Sequence, residues 1–180
     1  TDAGVIALFA AVADKGTDLD AYATSSTPVV SVAGSATGED EEGATTVLSL
    51  EIVGGDGVFS QLTTTDGDEI DLYLEDGLIV GRVDGGPLDG QAAFAISLGQ
   101  DGSVSIAQWI SLTHPDSPGN YDEPVDLGGL VNAVVTVTDG DGDVDTDFVE
   151  IGNSIEFEDD GPTASISDYG GTVTHDETAG

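Results

Sequence analysis

The sequence contains no cysteine and no methionine, and Lys15 and Arg82 are its only lysine and arginine. The absence of cysteine excludes disulfide scaffolds, thiolate metal sites and cysteine nucleophiles. No apolar run approaches the roughly 18 residues that a membrane-spanning helix needs, so we expect no direct membrane insertion. The chain must therefore fold and act without disulfides, thiolate chemistry or a membrane-spanning helix.

What the sequence has in excess is negative charge. Thirty-six Asp and Glu residues give a formal net charge of −34. Nucleic-acid binding requires Lys and Arg to displace counterions from phosphates, so we expect no nucleic-acid partner, and anionic membrane surfaces are disfavoured for the same reason. Self-repulsion of this size destabilises a compact state unless cations bind or salt screens the carboxylates. Such acidity also occurs in disordered chains, but here the apolar residues are strongly patterned.

Short runs of alternating apolar and polar residues, each bounded by Gly, Asp or Pro, predict an all-β fold. The spacing is typical of a sandwich or barrel, and we favour an antiparallel β-sandwich of immunoglobulin-like or cadherin-like architecture. Hairpins are predicted over 69–83, 92–112 and 130–158. The one candidate helix is short and lies within Val5 to Asp14, and residues 113–129 form a long irregular loop.

The chain reads as one module with the beginning of another. Residues 1–162 form the β-sandwich, and residues 163–180 are predicted to be a linker that runs into the next copy. The C-terminal DETAG resembles the N-terminal TDAG, as would be expected if the same element recurred in successive copies.

The clearest candidate site lies at the tip of the 130–158 hairpin. Its members are carboxylates with odd numbers, Asp139, Asp141, Asp143, Asp145 and Asp147. If strand geometry persists into the turn, they share the core-facing side with Val135 and cluster at one pole of the sandwich. Oxygen ligands without His or Cys suit a hard cation, and calcium is favoured over magnesium because it tolerates irregular coordination.

This segment has two other interpretations. Its spacing imitates a calcium-binding EF-hand loop, but Val144 occupies the position that requires glycine and the flanks are predicted strands, so we reject an EF-hand. A solvated acidic turn without metal is the plainer alternative. Asp66 and Asp68, together with Glu69, form a weaker second candidate metal site.

The sequence contains few of the residue patterns that indicate a catalytic site. The chain has two histidines, His114 and His175, and no nucleophile-elbow motif. A paired-carboxylate glycosidase needs an aromatic-lined cleft, which one Trp and four Tyr hardly provide. Trp109 has the opposite parity to its apolar neighbours and is expected on the outer face of its strand, where it either contacts a glycan or packs under the 113–129 loop. We expect no enzymatic activity.

Two segments carry a resemblance to a known family. Residues 135–143 (VTVTDGDGD) and the run from Ile155 through residues 159–162 (DDGP) resemble the end of repeat domains in giant bacterial repeats-in-toxin (RTX) adhesins. Residues 63–81, 94–96 and 114–115 are similar to the longer repeats of this group, so the likeness covers most of 45–180. Bacterial immunoglobulin-like and cadherin-like modules share the terminal part.

This resemblance implies an extracellular module on a bacterial cell surface, with adjacent repeats of the same chain as partners. Calcium is the implied cofactor, bound at the hairpin turn and at the junctions between modules. The implied junction ligands are Asp159, Asp160, Asp176 and Glu177. The expected function is a calcium-rigidified spacer. The alternatives are an adhesin domain that binds a glycan or another surface through Trp109 and the 113–129 loop, and a secreted hydrolase.

Overall fold

The computed structural model describes residues 3–37, 42–115 and 123–158. These contain one short helix, α1 (Ala3–Leu8), a 3-10 turn (Gly152–Ser154) and eleven strands. The strands are β1 (Ala21–Thr24), β2 (Thr45–Ile52), β3 (Val58–Thr63), β4 (Glu69–Glu75), β5 (Leu78–Asp84), β6 (Ala92–Leu98), β7 (Val104–Gln108), β8 (Val125–Asp126), β9 (Val131–Thr138), β10 (Val144–Glu150) and β11 (Glu156–Phe157).

Six strands form the larger sheet, in the order β1-β7-β6-β5-β4-β3, and all of its pairings are antiparallel. The β4–β5 hairpin turns through Asp76 and Gly77, which have φ of 51° and 82°. Positive φ at both central residues is the geometry that matches the twist of a two-residue hairpin, and Asp-Gly favours it. The predicted hairpins over 69–83 and 92–112 are therefore confirmed, although the second ends at Gln108.

A three-stranded sheet, β10-β9-β2, packs on the larger one and completes the sandwich. In β2 every second residue is buried, namely Leu48, Leu50 and Ile52. Leu50 and Ile52 belong to the same core cluster as inward side chains of the large sheet such as Phe94. The predicted all-β sandwich is confirmed. A two-stranded pair, β8 with β11, lies beside it and contributes Phe157, whose ring centroid is 4.8 Å from that of Phe94.

The outer face of the large sheet is also covered, which the alternation pattern did not predict. It presents Val80, Ala92, Ala95, Ala107 and Trp109, all at most 2% exposed. We call these five residues the Trp109 face. Residues 3–16, which we call the arm, cross this face. Only the first part of the arm is helical, because α1 ends at Leu8 rather than continuing to Asp14.

Strand β10 lies at the edge of the three-stranded sheet and is exposed along its whole length. Register with β9 places Asp145, Asp147 and Val149 on the core-facing side, as the parity predicted. Val149 is nevertheless 52% exposed, because the core-facing side of this edge strand is only partly covered. The side chains on this side line a groove of about 420 Å³ shared with residues of the 30–36 segment.

Two N–H groups on the outward-facing edge of β10 are hydrogen-bonded by aspartate side chains of the same strand. Ile151 donates its N–H to Val131 O, so odd-numbered residues of this strand bond to β9 and even-numbered ones face away. The outward N–H groups of Thr146 and Phe148 donate to Oδ1 of Asp145 (3.0 Å) and Asp147 (2.9 Å).

No helix in the described part of the chain is long and apolar enough to cross a membrane.

Candidate metal centre at the tip of the β9–β10 hairpin

The candidate centre is built on the five residues, 139–143, that join β9 to β10. Asp139 organises the turn: its Oδ1 accepts N–H bonds from Gly142 (3.0 Å) and Asp143 (2.8 Å). The N–H of Asp139 donates to the carbonyl of Asp143 at 3.0 Å, and Gly142 has φ of 97°. The aspartate at the end of β9 therefore folds the chain back and brings the acidic residues of the turn together.

Three carboxylates converge at this turn. One oxygen from each of Asp139, Asp141 and Asp143 can be chosen so that all three lie within 4.8 Å of one another. Ligands on opposite sides of a calcium ion, each about 2.4 Å from it, are separated by roughly the same distance. The donor set thus fits a calcium-sized hard cation. Because calcium takes six to eight oxygens, water or backbone carbonyls would supply the remainder.

The carboxylates of Asp139 and Asp141 affect each other's protonation. A hydrogen bond with Asp141 lowers the pKa of Asp139, helped by the N–H groups of Gly142 and Asp143. The pKa of Asp141 is raised by the hydrogen bond with Asp139 and by the negative charge of that residue. Two carboxylates this close favour retaining a proton between them, and a bound divalent cation would replace that proton.

Asp145 lies beside this trio rather than in it. It is not part of the group of three, and its Oδ1 is engaged by the N–H of Thr146. It does line a cavity of about 210 Å³ together with Asp139 and Asp143, next to Ala36 and Thr37. The hairpin tip was therefore predicted correctly as a cluster of acidic residues, with the close approach limited to 139, 141 and 143.

The other predicted ligands have different surroundings. Asp66 and Asp68 belong to no comparable group of three among the residues that the structure describes. The carboxylate of Asp68 lies so near Gly86 that a Cβ there would collide with it. A second metal site at this turn stays a prediction. The proposed junction ligands Asp159, Asp160, Asp176 and Glu177, and the linker 163–180, lie outside the described residues.

Glu150, the last residue of β10, is a structural carboxylate. Its Oε1 accepts N–H bonds from Gly129 (3.0 Å) and Gly152 (2.6 Å), and its Oε2 accepts one from the Asn153 amide (2.8 Å). Burial raises its pKa, but these hydrogen bonds outweigh burial and the pKa is lowered. Glu150 thus ties the base of the hairpin to the turn before β9 and to the 3-10 turn. The glycines around it at 128–129 and 152 were the available signal.

Trp109 does not form a surface site. It lies on the outer side of its sheet, as its parity predicted, but it is 2% exposed. Phe9 covers it edge-on, with ring centroids 6.4 Å apart, and Lys15 Nζ lies 5.1 Å from its ring centroid. The expectation that Trp109 contacts a glycan is wrong, because the arm covers it. The described part of the 113–129 loop does not join the apolar cluster around Trp109, and residues 116–122 of the loop lie outside the described residues. His114 is also buried, and its Nδ1 lies 2.8 Å from Glu123 O.

Comparison with known proteins gives one match. No curated protein and no solved structure matches the chain. A family model described as Domain of unknown function (DUF5801) matches residues 9–152, from the first buried residue of the arm to the start of the 3-10 turn that follows β10. The chain therefore belongs to this family of unknown function, DUF5801.

Proposed function

We propose that this protein is a calcium-stabilised structural module, a spacer in an extracellular adhesin of a bacterial surface. The observation that carries the proposal is the convergence of Asp139, Asp141 and Asp143 within 4.8 Å at a solvent-accessible turn. In a chain of charge −34, such an arrangement is electrostatically unfavourable unless a cation neutralises it. Calcium supplies that charge and accepts this ligand chemistry.

A spacer role follows from how the fold uses its polar groups. The carboxylates of Asp139, Glu150 and Asp145 accept backbone N–H groups and so hold turns and strand ends. They act as structural acceptors rather than as an acid and base aimed into a cleft. We therefore propose no enzymatic activity. The glycan-binding alternative depended on Trp109 and on the 113–129 loop. Trp109 is buried, which removes the first of these supports, and residues 116–122 of the loop lie outside the described residues.

The first experiment is a calorimetric titration of the protein with calcium at fixed ionic strength. We expect binding with a dissociation constant of about 10⁻⁴–10⁻³ M, the range of extracellular calcium modules. Asp141→Asn with Asp143→Asn should abolish it. Asp76→Asn with Asp84→Asn is the matched control, because both residues are exposed, neither is in the trio, and the same two charges are removed.

The control separates specific binding from general screening. If D76N/D84N loses calcium binding as completely as D141N/D143N, the ion is held by the overall charge of the chain and the proposed centre is absent. Absence of any calcium-dependent heat in the unaltered protein at millimolar calcium would also contradict the proposal. Magnesium, which prefers rigid octahedral coordination and retains its water, should bind more weakly.

The spacer role itself requires two copies in tandem. Carboxylates of residues 159–180 would repel those of the neighbouring hairpin unless cations bridge them. Small-angle scattering of the tandem should then give a longer and narrower distance distribution in calcium than in chelator. If the two profiles superimpose while single modules remain folded in both buffers, the junction is a passive tether and the spacer is not rigidified by calcium.

A further inference from the structure

The arm is held by few side chains. None of the residues in α1 is buried, and the helix has only six residues, too few to be stable alone. The arm's two buried apolar side chains are Phe9, which is fully buried, and Val12, which is 8% exposed. Ile6 and Leu8 are 42% and 48% exposed. The apolar anchorage of fourteen residues therefore depends chiefly on two side chains.

Both basic residues of the chain lie at this contact. Lys15 Nζ lies over the Trp109 ring at 5.1 Å from its centroid, a cation–π geometry. Arg82 forms a two-bonded pair with Glu75, at 2.6 and 2.7 Å, and its Nη1 reaches Gly90 O at 2.9 Å and Ala13 O at 3.5 Å. The only Lys and Arg of an otherwise acidic chain thus fasten the arm to the sheet.

The backbone contact between arm and sheet is short. Ala92 donates its N–H to Asp14 O (2.8 Å) and accepts one from Gly16 (3.0 Å), which makes a single parallel bridge at Lys15. Three of the five residues of the Trp109 face are alanines, whose single methyl groups offer the arm little apolar surface. Local openings are favoured where few apolar contacts and few backbone bonds are lost, and this contact fits that description.

We propose that the Trp109 face is a peptide-binding surface that the arm closes reversibly, and that an open face accepts the arm of a second copy of the chain. The peptide that fits this surface has an aromatic residue, an aliphatic residue three positions later and a basic residue three positions after that. In the arm these are Phe9, Val12 and Lys15. An arm from another copy makes the same contacts, so exchange between copies costs no interaction that the closed molecule has. This inference is independent of the calcium site.

Because Trp109 is the only tryptophan, its fluorescence reports on this surface alone. Phe9→Ala should shift the emission to longer wavelength and increase quenching by acrylamide several-fold, while the far-ultraviolet circular dichroism keeps its β-sheet form. Leu8→Ala is the matched control, because its side chain is adjacent but half exposed, and it should leave both readouts unchanged. A synthetic peptide of residues 3–16, added to the F9A protein, should restore protection from acrylamide, and the same peptide carrying F9A should not.

Hydrogen exchange in the unaltered protein provides a test that needs no substitution. The amides of Gly16 and Ala92 should exchange through openings that depend only weakly on denaturant, whereas the amide of Ile96 in β6 should exchange through global unfolding. The proposal is overturned if Gly16, Ala92 and Ile96 exchange with the same denaturant dependence, since the arm is then an inseparable part of the core. It is equally overturned if the wild-type peptide at millimolar concentration gives F9A no protection.

Discussion

The Trp109 face and the hairpin tip differ in how the negative charge of the chain is distributed and balanced. At the Trp109 face the chain places its two cations, small alanines and an apolar cover, so both sides of β6 are buried. At the tip of β9 and β10 it places five aspartates and leaves every residue of the outer strand exposed. One region is stabilised by packing within the protein. The other accumulates a charge that only solvent ions can balance.

The largest expected difference is in the response to loss of a ring, and it compares the hairpin with the inner face of β6, which lies opposite the Trp109 face. Phe94 is fully buried and contacts Phe157, and its ring fills the space above Gly81. Phe94→Ala should lower the free energy of unfolding by about 3–5 kcal/mol. Phe148→Ala, in which the lost ring is 66% exposed, should change it by less than about 0.5 kcal/mol. Urea denaturation measures both, and similar losses would contradict the contrast.

The second largest expected effect is that of calcium on the melting temperature, which depends on the hairpin tip. With calcium at 100 times its dissociation constant, the melting temperature should rise by roughly 5–10 °C for a protein of this size. Calorimetric scans in calcium and in chelator, at matched ionic strength, measure the rise. In D141N/D143N the two scans should coincide, and D76N/D84N should keep the wild-type rise. A full rise in D141N/D143N would place the stabilising ion elsewhere in the chain.

Glu150→Gln tests the base of the hairpin. The substitution retains an acceptor but loses the charge that three donors stabilise, and we expect a loss of about 1 kcal/mol at neutral pH. Because the pKa of Glu150 is lowered in the folded protein, its stabilising contribution is complete above the unfolded pKa of a glutamate. It disappears as the pH falls through the folded pKa. Denaturant titrations should therefore show the two proteins converging in acid, and a constant difference at all pH values would contradict this assignment.

The smallest expected effect is on the pH dependence of calcium binding. The pKa of Asp141 is raised by Asp139, so a proton competes with calcium at a higher pH than an isolated aspartate would allow. As the pH is lowered, the calorimetric affinity should begin to fall at a higher pH than in a variant that lacks the Asp139–Asp141 interaction. In Asp139→Asn, the weaker remaining binding should lose this early phase. An identical pH profile in the two proteins would show that the Asp139–Asp141 interaction does not control binding.

The hairpins were predictable because their determinants are local. Asp-Gly turns and period-two alternation fixed β4–β5, β6–β7 and β9–β10 without reference to the rest of the chain. The acidic cluster followed from the same local pattern, because its ligands are only two residues apart. Its narrowing to three carboxylates depends on the fold of the turn around Asp139, which spacing alone does not specify.

The Trp109 face could not be derived by the same reasoning, since its cover comes from the other end of the sequence. One local signal was available: residues 92–96, AAFAI, are continuously apolar, as in strands that are buried on both faces. Period-two alternation assigns Phe94 and Ile96 to one face of this strand and gives no weight to Ala93 and Ala95 on the other. Val149 illustrates the converse limit of reasoning from alternation. Its parity was correct, but β10 is an exposed edge strand, and parity gives no information about what lies opposite.

The aspartates that precede Thr146 and Phe148 have a consequence for solubility. An edge strand that carries Val144, Phe148 and Val149 in exposed positions presents unpaired backbone and apolar side chains, the features from which edge-to-edge pairing of strands begins. Another strand approaching β10 would find two of its outward N–H groups already bonded to carboxylates and would have to bring its own backbone against that negative charge. Crowded copies of this fold would therefore repel one another at the edge where cross-β stacking would otherwise begin.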